Sequence, residues 1–364
     1  MIVGIVGLGL IGGSIAKSLK KNRVCDEIIA YDRNLDDLIK AEKEGVIDMI
    51  THHIDASFEL CDLIFICTPV EFIFDTVVQL HKVVRKQCLI TDVGSTKHDI
   101  EKTIKSHFKD INYIGGHPMA GLEKSGYEFS SAILLENAFY LITSNSSSNM
   151  EKLNELITVI KAIKAIPIVI DADLHDYITA NISHIPHIIA ASLVNTVKNS
   201  DKEERYLHTL AAGGFKDITR IASSSPAIWN NICLSNKQHI ISSLEKFKEE
   251  INKFELAIKT DDSTRLNELF SSSKSYRDSF EYRNTGLIEP VYDFSVSVED
   301  KPGIIASIST ILAKKNINIR NIGIINNREV YEGALRIEFN DESSKINAFE
   351  VLSELGYLVY LKSN

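Results

Sequence analysis

The chain has 364 residues, 44% hydrophobic and 24% charged, which suits two or three soluble globular domains rather than one. A net charge of −9 excludes a broad electrostatic footprint for nucleic acid, so an anionic substrate would need a local cluster of lysine and arginine. The five cysteines contain no C-x-x-C pair and read as reduced core thiols of a cytoplasmic protein. The apolar start lacks a basic leader, and no apolar run is long enough to span a membrane.

Residues 2–6, IVGIV, predict a short buried strand, followed at once by Gly7-Leu8-Gly9-Leu10-Ile11-Gly12 and a helical stripe of Ile11, Ile15 and Leu19. This is G-x-G-x-x-G between a strand and a helix. Its first glycine makes the turn, its second lets backbone approach a pyrophosphate, and its third packs helix on strand. The strand EIIAY then ends at Asp32, at the roughly 20-residue spacing from the last glycine that places an acid on a ribose hydroxyl. These features predict a Rossmann domain over 1–170 that favours NAD over NADP, with Arg33 weakening the preference.

Strand–helix alternation continues through DLIFICTP (62–69), a helix from Glu71, CLITDVGS (88–95) and a helix from Lys97. Thr68, Pro69, Asp92 and Ser95 fall at strand ends, the expected cofactor edge of a parallel sheet, with Ser95 also placed to cap the next helix. The stretch NYIGGHPMAGLEKSG (112–126) follows. Gly115 and Gly116 would let backbone run close to a ligand or take positive φ, and Pro118 biases His117 toward an extended conformation. Such a histidine suits a general base near neutral pH, or a loop histidine bonded to a carbonyl. AFYLIT (138–143), a helix (149–164) and IPIVID (166–171) complete the domain.

From Asp173, read as a cap, the pattern is helical. The segment Ser183-His184-Ile185-Pro186-His187 sets two histidines three apart, and Pro186 predicts a kink that frees the Ile182 carbonyl. A satisfied histidine pair, a binding site and a metal pair all fit this pattern, but no acid or cysteine stands at metal-site spacing. In Gly213-Gly214-Phe215-Lys216-Asp217-Ile218-Thr219-Arg220 a helix would cluster Lys216, Asp217 and Arg220, either as a solvated salt bridge or as a fork for a carboxylate. A long helix from Ser225-Pro226 to about Lys259 and another over 263–281 carry apolar stripes that predict dimerisation within 171–285.

After a polar link over 282–290, Tyr292, Phe294, Val296 and Val298 alternate with polar residues as a strand. The turn Asp300-Lys301-Pro302-Gly303 leads into a helix, then strands 317–325 and 330–339, a helix and YLVYL. The order βαββαβ predicts a ferredoxin-like module over 291–364 without a catalytic constellation.

Together, GLGLIGGS, TDVGSTK, GHPMAGLEKSG, SHIPH, GGFKDITRIA and the DKPG turn resemble the prephenate dehydrogenase family, including its members with a C-terminal ACT domain. The resemblance covers nearly the whole chain and implies NAD-dependent oxidation of prephenate with release of CO2, giving 4-hydroxyphenylpyruvate. It implies an α/β Rossmann domain, an all-α dimerisation domain and an ACT domain in a homodimer, with no nucleic-acid or membrane partner. By the same resemblance His117 is the catalytic base and Ser95 orients it; His187 and Arg220 bind substrate, with Ser183, Gly213 and Lys216 nearby. Glu123, Lys216 and Asp217 match charged residues around the entrance. Tyrosine would act as an effector at the turn of Asp300, Pro302 and Gly303. Leu122 departs from a hydroxyl residue that the family often has there, which puts in doubt contacts that depend on it. Arogenate, the aminated relative of prephenate, is an alternative substrate. A 3-hydroxyacid dehydrogenase would instead use a lysine in the helical domain, where this chain has SHIPH, and an inactive amino-acid sensor would not need intact glycine, His117 and Arg220 sets.

Overall fold

The computed structural model describes residues 1–122, 124–144, 149–282, 292–298, 301–325 and 334–360. They fall into two compact units, 1–273 and 274–364. The Rossmann and helical layers, which the sequence sets apart at residue 170, share the first unit.

That unit starts as β1 (Ile2–Val6), α1 (Leu10–Lys21), β2 (Glu27–Tyr31), α2 (Leu35–Lys43), β3 (Met49–Thr51) and β4 (Leu63–Ile66). Next come α3 (Ile73–Leu80), β5 (Leu89–Asp92), α4 (His98–His107), β6 (Asn112–Pro118), β7 (Phe139–Thr143), α5 (Met150–Ala162) and β8 (Ile166–Ile170). The sheet order is β3-β2-β1-β4-β5-β6-β7-β8, with every pair parallel except β6–β7. Strands buried on both faces must be apolar throughout, and β4 shows it. Leu63 and Phe65 point into one core with Ile15 and Leu19 of α1 and Leu156 of α5. Ile64 and Ile66 point into the other with Val77 of α3 and Ile104 of α4. Each such side chain contributes about 1.5–3 kcal/mol by leaving water. Strand order reverses between β1 and β4, and the crevice beyond their carboxyl ends is where such sheets take ligands.

β6 pairs with β5 through residues 112–114 and with β7 through 115–118, so it changes partner at Gly115 and Gly116. Neither glycine has positive φ. A Cβ on Gly115 would lie 2.3 Å from Thr143 Oγ1, and one on Gly116 2.7 Å from the Asp92 carbonyl oxygen. Protein therefore fills the space expected for a ligand beside these two glycines.

The helical layer comprises α6 (Ala172–Thr179), a single π turn (Ala180–His184), α7 (Ile185–Ser200), α8 (Tyr206–Leu210), α9 (Gly213–Thr219), α10 (Pro226–Ser235), α11 (Lys237–Lys259) and the first half of α12 (Ser263–Tyr282), which from Lys274 on counts with the second unit. Asp171, not Asp173, caps α6 by accepting the Asp173 N–H. The π turn stands where a proline kink was expected, and Pro186 sits in the first turn of α7, where its missing N–H costs little. The long helix expected from Pro226 breaks at Asn236, whose amide turns inward to the Asp176 carbonyl oxygen at 2.7 Å. This layer has a small core of Ala180, Ile185 and Ile240, while Leu210 (73% exposed), Leu234, Leu256 and Phe270 face outward. So much outward apolar surface marks an association face.

The second unit carries β9 (Tyr292–Ser297), α13 (Ile304–Lys314), β10 (Asn321–Ile325), β11 (Ala334–Phe339), α14 (Glu342–Glu354) and β12 (Leu358–Tyr360). Its antiparallel sheet runs β10-β11-β9-β12, the ferredoxin-like arrangement, and buries Phe294, Val296, Leu335 and Ile337 under Ile308, Leu312 and Leu352. Asp300 and the link after Tyr282 lie outside the described residues; Pro302 and Gly303 (φ +90°) form the turn before α13. Among the described residues no helix is long and apolar enough to cross a membrane.

Candidate active site

β6 delivers His117 to the edge of the helical layer, where its Nδ1 lies 2.9 Å from Nε2 of His175 in α6. His175 is fully buried, and its Nδ1 lies 2.7 Å from Oδ1 of Asp176. The Asp176 carboxylate also accepts the N–H groups of Lys97 (2.8 Å) and His98 (2.9 Å) at the start of α4. Ser95 therefore does not cap that helix; Asp176 does, from another layer.

Burial holds His117 well below the ordinary histidine range, helped by His175, Lys97 and His184. His175 is also held low by burial, against the pull of Asp176. Burial raises the Asp176 carboxyl, but bonds from His175, His98 and Lys97 outweigh it and leave it below its usual value. The result is two neutral imidazoles in line with an ionised carboxylate.

Asp92 stands behind this line, fully buried, rather than at a ligand edge. It pairs with the equally buried Lys97 ammonium and accepts from Tyr113 Oη (2.8 Å), Gly94 N (2.9 Å) and Gly116 N (3.2 Å). Its oxygens serve the protein, and they tie β5 to the stretch that carries His117.

In front of Ser95 opens a cavity of about 570 Å³, whose walls include Leu122, Lys124, Ser183, His187 and Trp229. The His187 ring stacks on Trp229 with centroids 3.4 Å apart. One side of it meets a backbone hydrogen bond at Ile221, while its buried Nε2 has no protein partner. His184, by contrast, turns inward to Asn236 at 3.2 Å, and burial lowers its pKa to about 4. The two histidines that the sequence put on one helix face meet different partners: His184 ends the π turn and meets Asn236, while His187 lies in α7 on Trp229. Among the described residues no group of metal-ligating side chains gathers.

Arg220 directly follows α9, which carries Lys216 and Asp217, and begins the short turn that brings Ile221 to the cavity wall. Lys216 lines a separate cavity of about 590 Å³ with Lys198, Asp201 and Arg205, and Gly213 is exposed. Glu123 lies outside the described residues.

A third cavity, of about 380 Å³, opens at the strand-order reversal between Gly7, Gly9, Asp32, Arg33, Thr68 and Pro69. Gly7 has φ +97°, and a Cβ on Gly12 would lie 2.0 Å from the Gly7 carbonyl oxygen. A Cβ on Gly9 would meet nothing within 4 Å, and no side chain caps α1 there, so Leu10, Ile11 and Gly12 open the helix toward the cavity. Asp32 accepts from Leu8 N (2.6 Å) and Asn34 N (2.7 Å), which fixes the carboxylate at the rim. Thr68 Oγ1 is buried there without a protein partner. These residues fit a dinucleotide: a phosphate-binding helix end, a ribose acid and an orphaned hydroxyl.

Sequence reasoning missed His175, Asp176, Lys124, Trp229 and Asn236. Lys124 lies within a motif already singled out, and Trp229 is the chain's one tryptophan. Nothing in the local sequence marks His175 or Asp176.

Family models match three segments: the prephenate dehydrogenase nucleotide-binding domain at 15–169, the prephenate dehydrogenase dimerization domain at 171–272 and the ACT domain at 292–344. The chain is 39% identical over 352 residues to a prephenate dehydrogenase of Bacillus subtilis, covering 94% of this chain and 93% of that one. It is similar to the crystal structure of Aquifex aeolicus prephenate dehydrogenase in complex with hydroxyphenyl propionate and NAD+ (TM-score 0.73, 31% identity, 77% of this chain and 98% of that one). A Synechocystis arogenate dehydrogenase structure is similar at TM-score 0.69 and 26% identity, covering 77% of this chain and all of the other.

Proposed function

This chain belongs to the prephenate dehydrogenase family, and from that premise we propose which of its residues carry the reaction. The enzyme oxidises prephenate with NAD and releases CO2, giving 4-hydroxyphenylpyruvate in tyrosine biosynthesis. When bound, NAD supplies the hydride acceptor. Gly7, Gly9, Leu10, Ile11 and Gly12 would hold its pyrophosphate, Asp32 its adenosine ribose, and Thr68 and Pro69 the wall beside it.

His117 is the base for the ring hydroxyl. The observation that carries this is the imidazole itself: half-buried, kept neutral by desolvation, and paired through Nδ1 with His175. A neutral ring that donates from Nδ1 keeps its lone pair on Nε2, where it can take a proton. Ser95 orients the hydroxyl from the cavity wall. His187, with an unpartnered Nε2 on the Trp229 face, and Arg220 beside Ile221 anchor the carboxylates, with Ser183 lining the same wall and Lys124 adding positive charge. Loss of CO2 follows from aromatisation, so the protein need not stabilise a difficult carbanion.

A second copy of the chain covers the outward apolar residues of the helical layer, making a homodimer. The ACT domain binds an amino-acid effector, most simply the pathway's aromatic product tyrosine, at the turn of Asp300, Pro302 and Gly303.

The test follows NADH formation with prephenate and separately with arogenate, since an arogenate dehydrogenase shares the fold. Turnover of prephenate is expected, and His117→Asn should lower kcat about 10²–10⁴-fold with little effect on substrate binding. Near-native kcat in that variant would return His117 to a structural role.

A further inference from the structure

The line from His117 to Asp176 determines where protons sit. Asp176 is ionised and can only accept, so the His175 nitrogen facing it, Nδ1, carries a proton. A neutral His175 then presents a bare Nε2 to His117. For a hydrogen bond to exist at 2.9 Å, His117 must donate from Nδ1, which leaves its Nε2 bare. Asp176 is itself immobilised by the two N–H groups of α4, and Asn236 holds the Asp176 carbonyl oxygen from α11's start.

We propose that His175 and Asp176 are positioning residues that fix His117 in the Nδ1–H tautomer and share the proton it takes from substrate. The proposal rests on His117 as the base. The balance of the reaction makes a closed line sufficient. The hydroxyl O–H breaks and its proton goes to His117 Nε2, while the Nδ1 proton shifts toward His175 Nε2 beside the Asp176 carboxylate. The C4 hydride leaves to the nicotinamide, the bond to the ring carboxylate breaks, and its electron pair enters the ring. The resulting phenolate oxygen takes the proton back from His117, and the Nδ1 proton returns. No net proton is released, so the line needs no exit to solvent and can end on a buried carboxylate. The other titratable groups facing it are the charged Lys97 and Asp92 on the Rossmann side and the neutral His184 on the helical side.

The test uses the full-length enzyme with [15N]histidine. Long-range proton–nitrogen spectra distinguish Nδ1–H from Nε2–H imidazole, and His117→Asn identifies the His117 signals. The native enzyme should show the Nδ1–H tautomer at His117. His175→Leu should shift it to Nε2–H and lower kcat about 10- to 100-fold, the usual cost of losing a group that orients a functional imidazole, with KM little changed. His175→Gln, whose amide oxygen can accept the Nδ1–H, should keep the native tautomer and recover most of the turnover. An Nε2–H tautomer in the native enzyme, or near-native kcat in His175→Leu, overturns the proposal. Should His175→Leu fail to fold, His175→Gln with an Nε2–H tautomer overturns it too. If His117→Asn alone abolishes turnover and the His175 variants do not, the positioning role fails and the base survives; if His117→Asn turns over normally, the base reading fails.

Discussion

The carboxylate of Asp176, on the first helix of the helical layer, accepts the backbone N–H of Lys97 at the start of a Rossmann helix, 2.8 Å away. Helix starts are ordinarily capped from within their own chain segment; here the cap crosses between layers, with His98 N as its second donor. Asp176→Ala would strand two N–H groups and the His175 ring. We expect a loss of about 2–4 kcal/mol in urea unfolding, with Asp176→Asn recovering part through its one remaining acceptor. A loss below about 0.5 kcal/mol, the level of ordinary surface changes, would make the cap incidental.

Elements set by local pattern were legible. β4 reads as four apolar residues in a row and α1 as an apolar stripe after three glycines, because each is dictated by neighbours in sequence. What escaped depends on distance. His175 meets His117 across 58 residues, and Asp176 meets Lys97 across 79, so no window reveals either. The break at Asn236 has the same origin: a helical sequence gives way because its amide satisfies the Asp176 carbonyl and His184. In sequence Gly115 and Gly116 suggest room for a ligand, because only the fold brings Thr143 and Asp92 into that room. β3 went unnoticed since three residues carry no period.

Asp32 should set the cofactor preference. Its oxygens are held by Leu8 N and Asn34 N at the rim of the cavity, where a 2′-phosphate would meet the carboxylate. Asp32→Asn keeps an acceptor for the backbone while removing the charge. The ratio of kcat/KM for NADP to that for NAD should rise about tenfold or more, which corresponds to roughly 1.4 kcal/mol. An unchanged ratio would assign Asp32 to the Leu8 turn alone.

Acid should destabilise the first unit well before its carboxylates titrate. Burial holds His117, His175, His184 and His187 below the ordinary histidine value. In the unfolded chain these groups take up protons below about pH 6.5, whereas the folded protein resists until lower pH. The unfolded state therefore binds more protons, and stability falls as pH falls through that window. His184, at about 4, costs roughly 2 kcal/mol by pH 5 on its own. Asp176, also held below its usual value, acts in the same sense at lower pH: its stabilising contribution is present above the ordinary carboxylate range and is lost as pH falls through its lowered value. Urea midpoints at pH 7.5, 6 and 5 should decline steadily, and a flat series would show that these imidazoles are not neutral in the fold.

Tyrosine should inhibit through the second unit. That unit has its own core of Phe294, Val296, Ile308 and Leu335. Leu122 lines the cavity in front of Ser95, so the active site lacks one hydroxyl with which it could hold tyrosine directly. Inhibition from a separate site requires tyrosine to favour one state of the enzyme over another, with a coupling of about 1–3 kcal/mol, or 5- to 150-fold in affinity. The coupling is reciprocal, so saturating prephenate should weaken tyrosine binding by the same factor, which calorimetry with and without substrate measures. Ending the chain at Gly286 should then remove inhibition while turnover persists, provided light scattering still shows a dimer. Inhibition that survives the truncation would place tyrosine among the residues around Ser95 and His187, and leave the ACT domain a role in assembly alone.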